Sequence, residues 1–414
     1  MNEAPSNEPS GIEALREKLI AALHDLDAIR TPQVEAAIRA VPRHLFLPEV
    51  SLARAYEPED AVITKRDGQG MPISSVSAAR IQAFMLEQAD IRPGMKVWEI
   101  GSGGLNAAYI QHLVGDEGQV VTSDIDPEVA HRARHLLTRA GYDRVTVVES
   151  DAEFGLAEYA PFDRIIVTVG AWDIPPTWTG QLADDGRIVL PLRVRGLTRS
   201  VALEREGPCL VSTGYELCGF VPMQGAGEKR LRRALLHDVP GEEVALVLDD
   251  GHEVDIEALC AALAQPATRA WSGVHLRAME SVDPLDLWLA CALPGFAVLN
   301  AKKAARERGI IHQPSGLLQV ALIEGRSFAY RTIRPVTPER RLWEFGAVGH
   351  GPEGKSLADR LVEEIRTWDR DHRSPEHMAR FEVHPAGTPD TELPPGLVVN
   401  KRHTRVTVSW PPPA

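Results

Sequence analysis

Residues 96–104, Lys-Val-Trp-Glu-Ile-Gly-Ser-Gly-Gly, decide the fold of this chain. The first five predict a buried strand, and the glycines that follow predict a tight loop before a helix. Glycine reaches positive φ and allows close backbone approach at little cost, so a ligand can rest on the backbone N–H groups where the helix begins. The loop is typical of nucleotide and dinucleotide sites, although a plain turn between a strand and a helix is an alternative.

Two acidic residues follow the next two predicted strands. Asp124 closes the second strand about twenty residues after the glycines, where a carboxylate can accept hydrogen bonds from both ribose hydroxyls. Asp151 follows the third strand, from which a side chain can reach an adenine amino group. Helix capping explains such an aspartate equally well when it is taken alone. Together with the glycine loop, the two acids favour an adenosine-containing cofactor.

Short apolar runs alternate with amphipathic helical segments around this loop. Such alternation predicts a parallel sheet covered by helices on both faces, that is, a doubly wound α/β domain. Two small helices precede the sheet, the second opened by Thr31-Pro32. We predict strands at residues 96–100, 119–123, 145–148, 164–169 and 187–191.

The length of 414 residues favours two domains. A polar stretch near residue 224 marks the boundary, and the region after it mixes strand patterns with an amphipathic helix at 356–370, which predicts an α+β domain. The expected divisions are a disordered tail at 1–11, the doubly wound α/β domain at 12–224, a linker at 225–233 and the α+β domain at 234–414.

The composition excludes some classes of function. With 45 basic and 58 acidic residues the formal net charge is −13, which disfavours general binding to nucleic acid or anionic membranes. The four cysteines show no C-x-x-C spacing and no zinc-type set, so we expect no metal and a reduced, cytoplasmic setting. The polar, acidic start lacks an export signal, and no apolar run approaches the ~18 residues that span a bilayer.

Several short motifs come in an order that resembles the protein-L-isoaspartate O-methyltransferase family. The resemblance covers about residues 12–224 and disfavours an oxidoreductase. The motifs are Pro-Arg-His-Leu-Phe-Leu-Pro at 42–48, Ala-Tyr at 55–56, the glycine loop, Phe-Asp-Arg-Ile-Ile-Val-Thr at 162–168, Ile-Pro-Pro at 174–176 and Phe-Val-Pro at 220–222.

This resemblance implies a Rossmann-like methyltransferase domain of the seven-stranded type. It further implies S-adenosyl-L-methionine as cofactor and S-adenosyl-L-homocysteine as product. The glycine loop would hold the methionine portion, Asp124 the ribose, and Asp151 with Ala152 the adenine, while Glu99 would orient the loop through backbone hydrogen bonds. The implied cofactor-binding residues are Glu99, Gly101, Ser102, Gly103, Gly104, Asn106, Asp124, Ile125, Asp151, Ala152 and Thr168.

At two positions the chain departs from the usual family pattern, and there it resembles a narrower branch of the family. The loop is one residue shorter than the usual E-I-G-[ST]-G-S-G-Y-Q, and residues 73–79 read Ile-Ser-Ser-Val-Ser-Ala-Ala where I-S-Q-P is usual. Homologues found with ribosomal peptide natural products, such as lanthipeptides and graspetides, share the short loop followed by Asn-Ala-Ala. They also resemble this chain at Gly351-Pro352, Leu357-Ala358, Trp368-Asp369-Arg370 and Val408-Ser409-Trp410-Pro411.

That branch implies a ribosomally made precursor peptide, already macrocyclised, as the partner. Methylation of an aspartate side chain in it would lead to aspartimide or isoaspartate. A carboxylate is ionised at neutral pH, so the site needs no general base and must only align the reacting atoms. Ser74, Ser75 and Ser77 are the candidates for holding the carboxylate, although such a serine cluster is also typical of a turn.

Two other functions stay open. General repair of protein isoaspartate would need only the first domain, and the long C-terminal region argues against it. A regulatory module that binds the cofactor without turnover would keep the same fold. His350 and His403 fit surface residues better than peptide-binding residues, and the oligomeric state is left open.

Overall fold

The computed structural model describes residues 11–249, 251, 253–312, 319–374 and 378–410. The predicted tail lies outside the described residues except for Gly11, which begins the first helix. Among the described residues, no helix combines the length and the apolar character needed to cross a membrane.

The first half of the chain is an α/β unit, as predicted. Thr31 caps the second helix, where its side chain accepts a hydrogen bond from the backbone N–H of Val34. In chain order the elements are α1 (Gly11–Asp25), α2 (Pro32–Ala40), α3 (Leu52–Ala55), β1 (Val62–Arg66), β2 (Pro72–Val76), α4 (Ala79–Ala89), β3 (Lys96–Ile100), α5 (Leu105–Val114), β4 (Gln119–Asp124), α6 (Pro127–Arg139), β5 (Thr146–Glu149), β6 (Phe162–Val167), α7 (Pro176–Gln181), β7 (Leu182–Val194), β8 (Leu197–Glu206) and β9 (Cys209–Leu217).

The central strands of this unit form the expected parallel sheet. Strands β5, β4, β3, β6 and β7 pair side by side in parallel, and β8 and β9 continue the sheet in antiparallel fashion. Both faces of β3 are covered, since Val97 and Trp98 are fully buried on opposite sides. The carboxyl ends of β3, β4 and β5 therefore meet at one edge, where parallel α/β sheets bind their ligands.

The second half of the chain forms an α+β region around a seven-stranded sheet. That sheet has the order β10-β11-β13-β14-β15-β16-β12, and its neighbouring strands pair in antiparallel fashion throughout. Helix α11 covers one face through buried Leu361, Ile365 and Trp368. The elements are β10 (Arg232–His237), β11 (Val244–Leu248), α8 (Ile256–Leu263), β12 (Thr268–Arg277), α9 (Asp283–Ala292), β13 (Phe296–Ala301), α10 (Lys303–Glu307), β14 (Gln319–Glu324), β15 (Ser327–Pro335), β16 (Leu342–His350) and α11 (Gly354–Asp371).

The last three strands do not join that second sheet. They are β17 (Arg380–Pro385), β18 (Leu397–Asn400) and β19 (Thr404–Ser409), and they extend the first sheet to ten strands because β17 pairs with β9. Phe381 and Val383 of β17 pack in the same buried cluster as residues of β6 and β7. The sheets thus divide the chain differently from the proposed boundaries, which assigned 234–414 to a single domain.

Candidate functional site

The glycine loop takes the conformation that its sequence predicts. Gly101 has φ +94° and Gly104 has φ +82°, values that residues with a side chain rarely adopt. A Cβ on Gly101 would also lie 2.7 Å from the hydroxyl of Thr168, which donates to the carbonyl of Gly101 at 2.7 Å. Thr168 at the end of β6 therefore supports the loop from below. Gly103 faces the carbonyl of Ser75 on β2.

Asp124 ties the glycine loop to the end of β4. Its carboxylate accepts hydrogen bonds from the backbone N–H of Ser102 at 2.9 Å and of Asp126 at 2.9 Å. Burial raises the pKa of Asp124, and these two backbone donors oppose that rise. Each oxygen keeps a second lone pair, so the carboxylate can still accept ribose hydroxyls, as the sequence predicts.

Glu99 is fully buried beneath the loop, at the end of β3. One oxygen of its carboxylate accepts a hydrogen bond from the hydroxyl of Thr122 at 2.6 Å, whereas the other, Oε1, is buried with no hydrogen-bond partner among the described residues. The carboxylate thus links β3 to β4 through a side-chain contact in place of the expected backbone hydrogen bonds. Burial raises the pKa of Glu99 to about 7.

The pKa of Glu99 predicts how stability depends on pH. Because the folded-state value of about 7 exceeds the ordinary 4.5, the folded protein binds more protons in that window and loses stability as pH rises through it. Glu99→Gln cannot ionise, so its stability should not fall in this way. We expect the free energy of unfolding, measured with urea, to favour the variant increasingly between pH 4.5 and about 7. Parallel pH profiles for the two proteins would contradict this.

Asp151 follows β5 and caps a short 3-10 helix, Ala152–Phe154. One carboxylate oxygen accepts the backbone N–H of Glu153 at 3.0 Å, so the capping interpretation of this residue is confirmed. The other oxygen accepts the backbone N–H of Ala226 at 2.8 Å. Gly225, with φ +79°, lies so close that an added Cβ would collide with Asp151 and Ile125.

The cavity between these features fits an adenosine-containing cofactor. The buried hydroxyl of Ser150, which lines the cavity, has no hydrogen-bond partner among the described residues, as expected of a donor that awaits a polar ligand. Ile125 is exposed and provides an apolar surface for a base. The cavity is lined by Ile73, Ile100, Gly101, Ser123, Asp124, Ile125, Ser150, Asp151, Ala152, Val169, Pro222, Met223 and Gln224.

The three candidate serines separate into two groups. Side chains alternate along a strand, and Ser74 of β2 faces away from the site, with its hydroxyl bonded to Thr64 of β1 at 2.9 Å. Ser75 and Ser77 instead line a second cavity next to the glycine loop, together with Glu99, Gly103, Asn106, Thr168 and Phe220. Only these two serines are therefore placed to meet a carboxylate beside the loop.

Sequence reasoning missed how Ser77 is held. Arg43 is buried, and its guanidinium donates to the carbonyl of Ser77 at 2.9 Å, to the carbonyl of Ala55 at 2.7 Å and to Gln82 at 2.5 Å. Five donors in a rigid fork suit this task of fixing three segments at once. The motif that contains Arg43 thus serves the site indirectly.

The histidines also differ from expectation. His350 is buried and stacks on Phe328 with ring centroids 4.8 Å apart, so its placement at the surface was wrong. His403 lies next to the cofactor cavity, bonded to Glu153 at 2.7 Å. Neither position was indicated by local pattern.

One group of side chains away from the cavity could hold a metal ion. Cys209, Glu382 and His384 place ligand atoms within 4.8 Å of one another. Arg380 already donates to Glu382 at 2.9 Å, which opposes binding of a cation there. We assign no metal to this group.

Comparison with known proteins agrees with this geometry. The chain is 38% identical over 213 residues to a protein-L-isoaspartate O-methyltransferase of Methanopyrus kandleri. This alignment covers 51% of this chain and 91% of that protein. The corresponding protein of Hyperthermus butylicus is 40% identical over 221 residues, covering 51% and 88%.

The solved structure of a protein-L-isoaspartate O-methyltransferase aligns over 95% of this chain and 99% of its own, with a TM-score of 0.50 and 20% identity, and shows a shared fold. The sequence model of the family "Protein-L-isoaspartate(D-aspartate) O-methyltransferase (PCMT)" matches residues 14–228, just over half of the chain. This chain therefore belongs to the protein-L-isoaspartate(D-aspartate) O-methyltransferase family and is an S-adenosyl-L-methionine-dependent carboxyl O-methyltransferase.

Proposed function

We propose that the chain methylates the side-chain carboxylate of an aspartate in a macrocyclised, ribosomally made precursor peptide. The observation that carries this proposal is a cleft of about 670 Å³ lined mostly by residues beyond the family match, with Trp172 and Arg195 from within it. Gly396 and the four residues of strand β18, Leu397–Asn400, line it together with Cys291 and Pro294, and Trp172 of the α/β unit also borders it. A cleft of this size suits a folded peptide better than a single side chain.

The open edge of β18 is the specific feature of this cleft. Side chains alternate along a strand, so five consecutive lining residues mean that the strand edge itself faces the cleft. β18 pairs with β19 on one side and ends the ten-stranded sheet on the other. Its free backbone groups can pair with an extended segment of a peptide.

The proposed chemistry at the site is positioning. The bound cofactor supplies an electrophilic methyl group. An aspartate is already ionised, and the hydroxyls of Ser75 and Ser77 can orient its oxygen by donating hydrogen bonds without removing its charge. Arg43 keeps the backbone at Ser77 in place while the substrate binds.

Esterification then explains the expected product. A methyl ester carries methoxide as leaving group, whereas a free carboxylate would have to lose oxide. The neighbouring backbone amide nitrogen attacks the ester carbonyl, loses its proton and expels methanol, which closes the aspartimide ring. Addition of water to that imide gives aspartate or isoaspartate.

General repair of isoaspartyl proteins is the second candidate. A solved protein-L-isoaspartate O-methyltransferase aligns with 95% of this chain, including the region beyond the family match. The long C-terminal region is therefore compatible with repair as well.

The test compares methyl acceptors by mass spectrometry. The protein is incubated with S-adenosyl-L-methionine and a macrocyclised precursor encoded beside its gene, the linear form of that precursor, or a short isoaspartyl peptide. We expect the macrocyclised precursor to gain one methyl group and then lose methanol. Methylation of the isoaspartyl peptide alone would establish repair and overturn the proposal.

A further inference from the structure

We propose that the turn between β18 and β19, residues 401–403, together with Thr404 at the start of β19, is part of the cofactor site. In this turn Arg402 and His403 act as positioning residues that fix the carboxylate of Asp151 through its two backbone donors. The turn lies far beyond residues 14–228, the region shared with the family. Cofactor affinity in this chain therefore depends on its C-terminal strands.

Arg402 holds one of the two segments that bind Asp151. Its guanidinium donates to the carbonyl of Ala226 at 2.7 Å, and the N–H of Ala226 donates to Asp151 at 2.8 Å. The segment around Gly225 and Ala226 connects the two sheets and covers the cavity beside Ile125. Arg402 thus holds this segment against Asp151 from the side of the turn.

His403 holds the other segment. Its Nε2 lies 2.7 Å from an oxygen of Glu153, and the N–H of Glu153 donates to the second oxygen of Asp151 at 3.0 Å. The Glu153 side chain is mostly buried, at 11% exposure, which strengthens such a contact relative to one in water. Both oxygens of Asp151 are thus aligned by peptide units that the turn supports.

The turn is itself anchored to the loop after β6. Asp173 in that loop accepts the N–H of His403 at 2.7 Å and the hydroxyl of Thr404 at 2.5 Å. Lys401 is buried and donates to the carbonyls of Trp172 and Arg193. These contacts fix the position of the turn, so that Arg402 and His403 meet the cofactor site in a defined geometry.

The experiment measures cofactor affinity directly. We expect the double variant Arg402→Ala/His403→Ala to weaken binding of S-adenosyl-L-homocysteine about tenfold in isothermal titration calorimetry. The variant loses the contacts to Ala226 and Glu153, whose backbone N–H groups hold Asp151. KM for S-adenosyl-L-methionine should rise similarly, while kcat at saturating cofactor should change less than about twofold. No peptide takes part in the binding measurement, so its outcome does not depend on the proposed methyl acceptor.

Two further variants separate positioning from general support of the fold. His403→Gln can still donate to Glu153 and should retain most of the affinity. Arg405→Ala, on the same hairpin, removes contacts to Asn400, Thr388 and Asp390, away from the cavity, and should bind the cofactor product as the wild type does. Unchanged affinity in the double variant, or an equal loss in Arg405→Ala, would overturn the proposal.

Discussion

Replacement of Asp124 by alanine is expected to weaken binding of S-adenosyl-L-homocysteine at least about a hundredfold, or ~2.7 kcal/mol. The variant loses the acceptor for the backbone N–H groups of Ser102 and Asp126, and it also loses the proposed acceptor for the ribose hydroxyls. A hydrogen bond to a charged group contributes about 1.5–3 kcal/mol, so two or three such losses exceed this figure before the loop relaxes. Calorimetric titration measures the effect.

A matched control is available at another acidic position. Asp116 is exposed in the loop after α5, and its carboxylate pairs with Arg144 at 2.7 Å, outside the cavity. Asp116→Ala should bind the cofactor as the wild type does. Equal affinities for wild type and Asp124→Ala would contradict the assignment of the ribose site to the end of β4.

Replacement of Ser77 by alanine is expected to lower kcat at least about tenfold and to leave the affinity for the cofactor unchanged. Ser77 lines the cavity beside Gly103 and Asn106, and Arg43 fixes its backbone. Loss of its hydroxyl removes the proposed donor to the substrate carboxylate, while the contacts of the glycine loop stay intact. Steady-state kinetics with a methylated peptide as readout separate the two constants.

The neighbouring serine provides the control for this variant. Ser74→Ala removes a hydroxyl that bonds to Thr64 on the opposite face of β2, so kcat should stay within about twofold of the wild type. Ser75→Ala tests the second hydroxyl that faces the cavity. A larger loss of kcat in Ser74→Ala than in Ser77→Ala would show that the substrate carboxylate is held elsewhere.

Local pattern was sufficient to predict the centre of the fold. The strand at 96–100 was confirmed with its bounds because four buried residues, Val97 to Ile100, precede a loop in which Gly101 and Gly104 adopt positive φ. The strand before Asp124 was also confirmed, and so was the helix α11, whose apolar stripe is strong along its length. The cofactor residues predicted beside these elements lie around two neighbouring cavities: Gly101, Asp124, Ile125, Asp151 and Ala152 line one, and Glu99, Gly103, Asn106 and Thr168 line the other.

The pairing of the last strands could not be predicted in this way. Alternation in 380–385 indicates a strand with one buried face, but the same pattern would fit either sheet. Its partner, β9, is far away in sequence, because all strands of the seven-stranded sheet come between β9 and β17 along the chain. Long-range pairing of this kind depends on the whole packed core.

The hydrogen bonds that position the site residues from outside could not be predicted from the sequence either. Arg43 reaches Ser77 and Ala55, and Arg402 reaches Ala226, across distances in sequence that no spacing rule connects. A sequence motif marks residues that border the ligand because backbone geometry limits which residue types fit there. Residues that hold those positions from outside are free to come from any part of the chain.

A crystal structure with S-adenosyl-L-homocysteine would show directly where the cofactor binds. We expect the ligand between the glycine loop at 101–104, Asp124 and Asp151, with its sulfur directed toward Ser77. A ligand bound elsewhere, or one whose sulfur faces away from Ser75 and Ser77, would contradict this expectation.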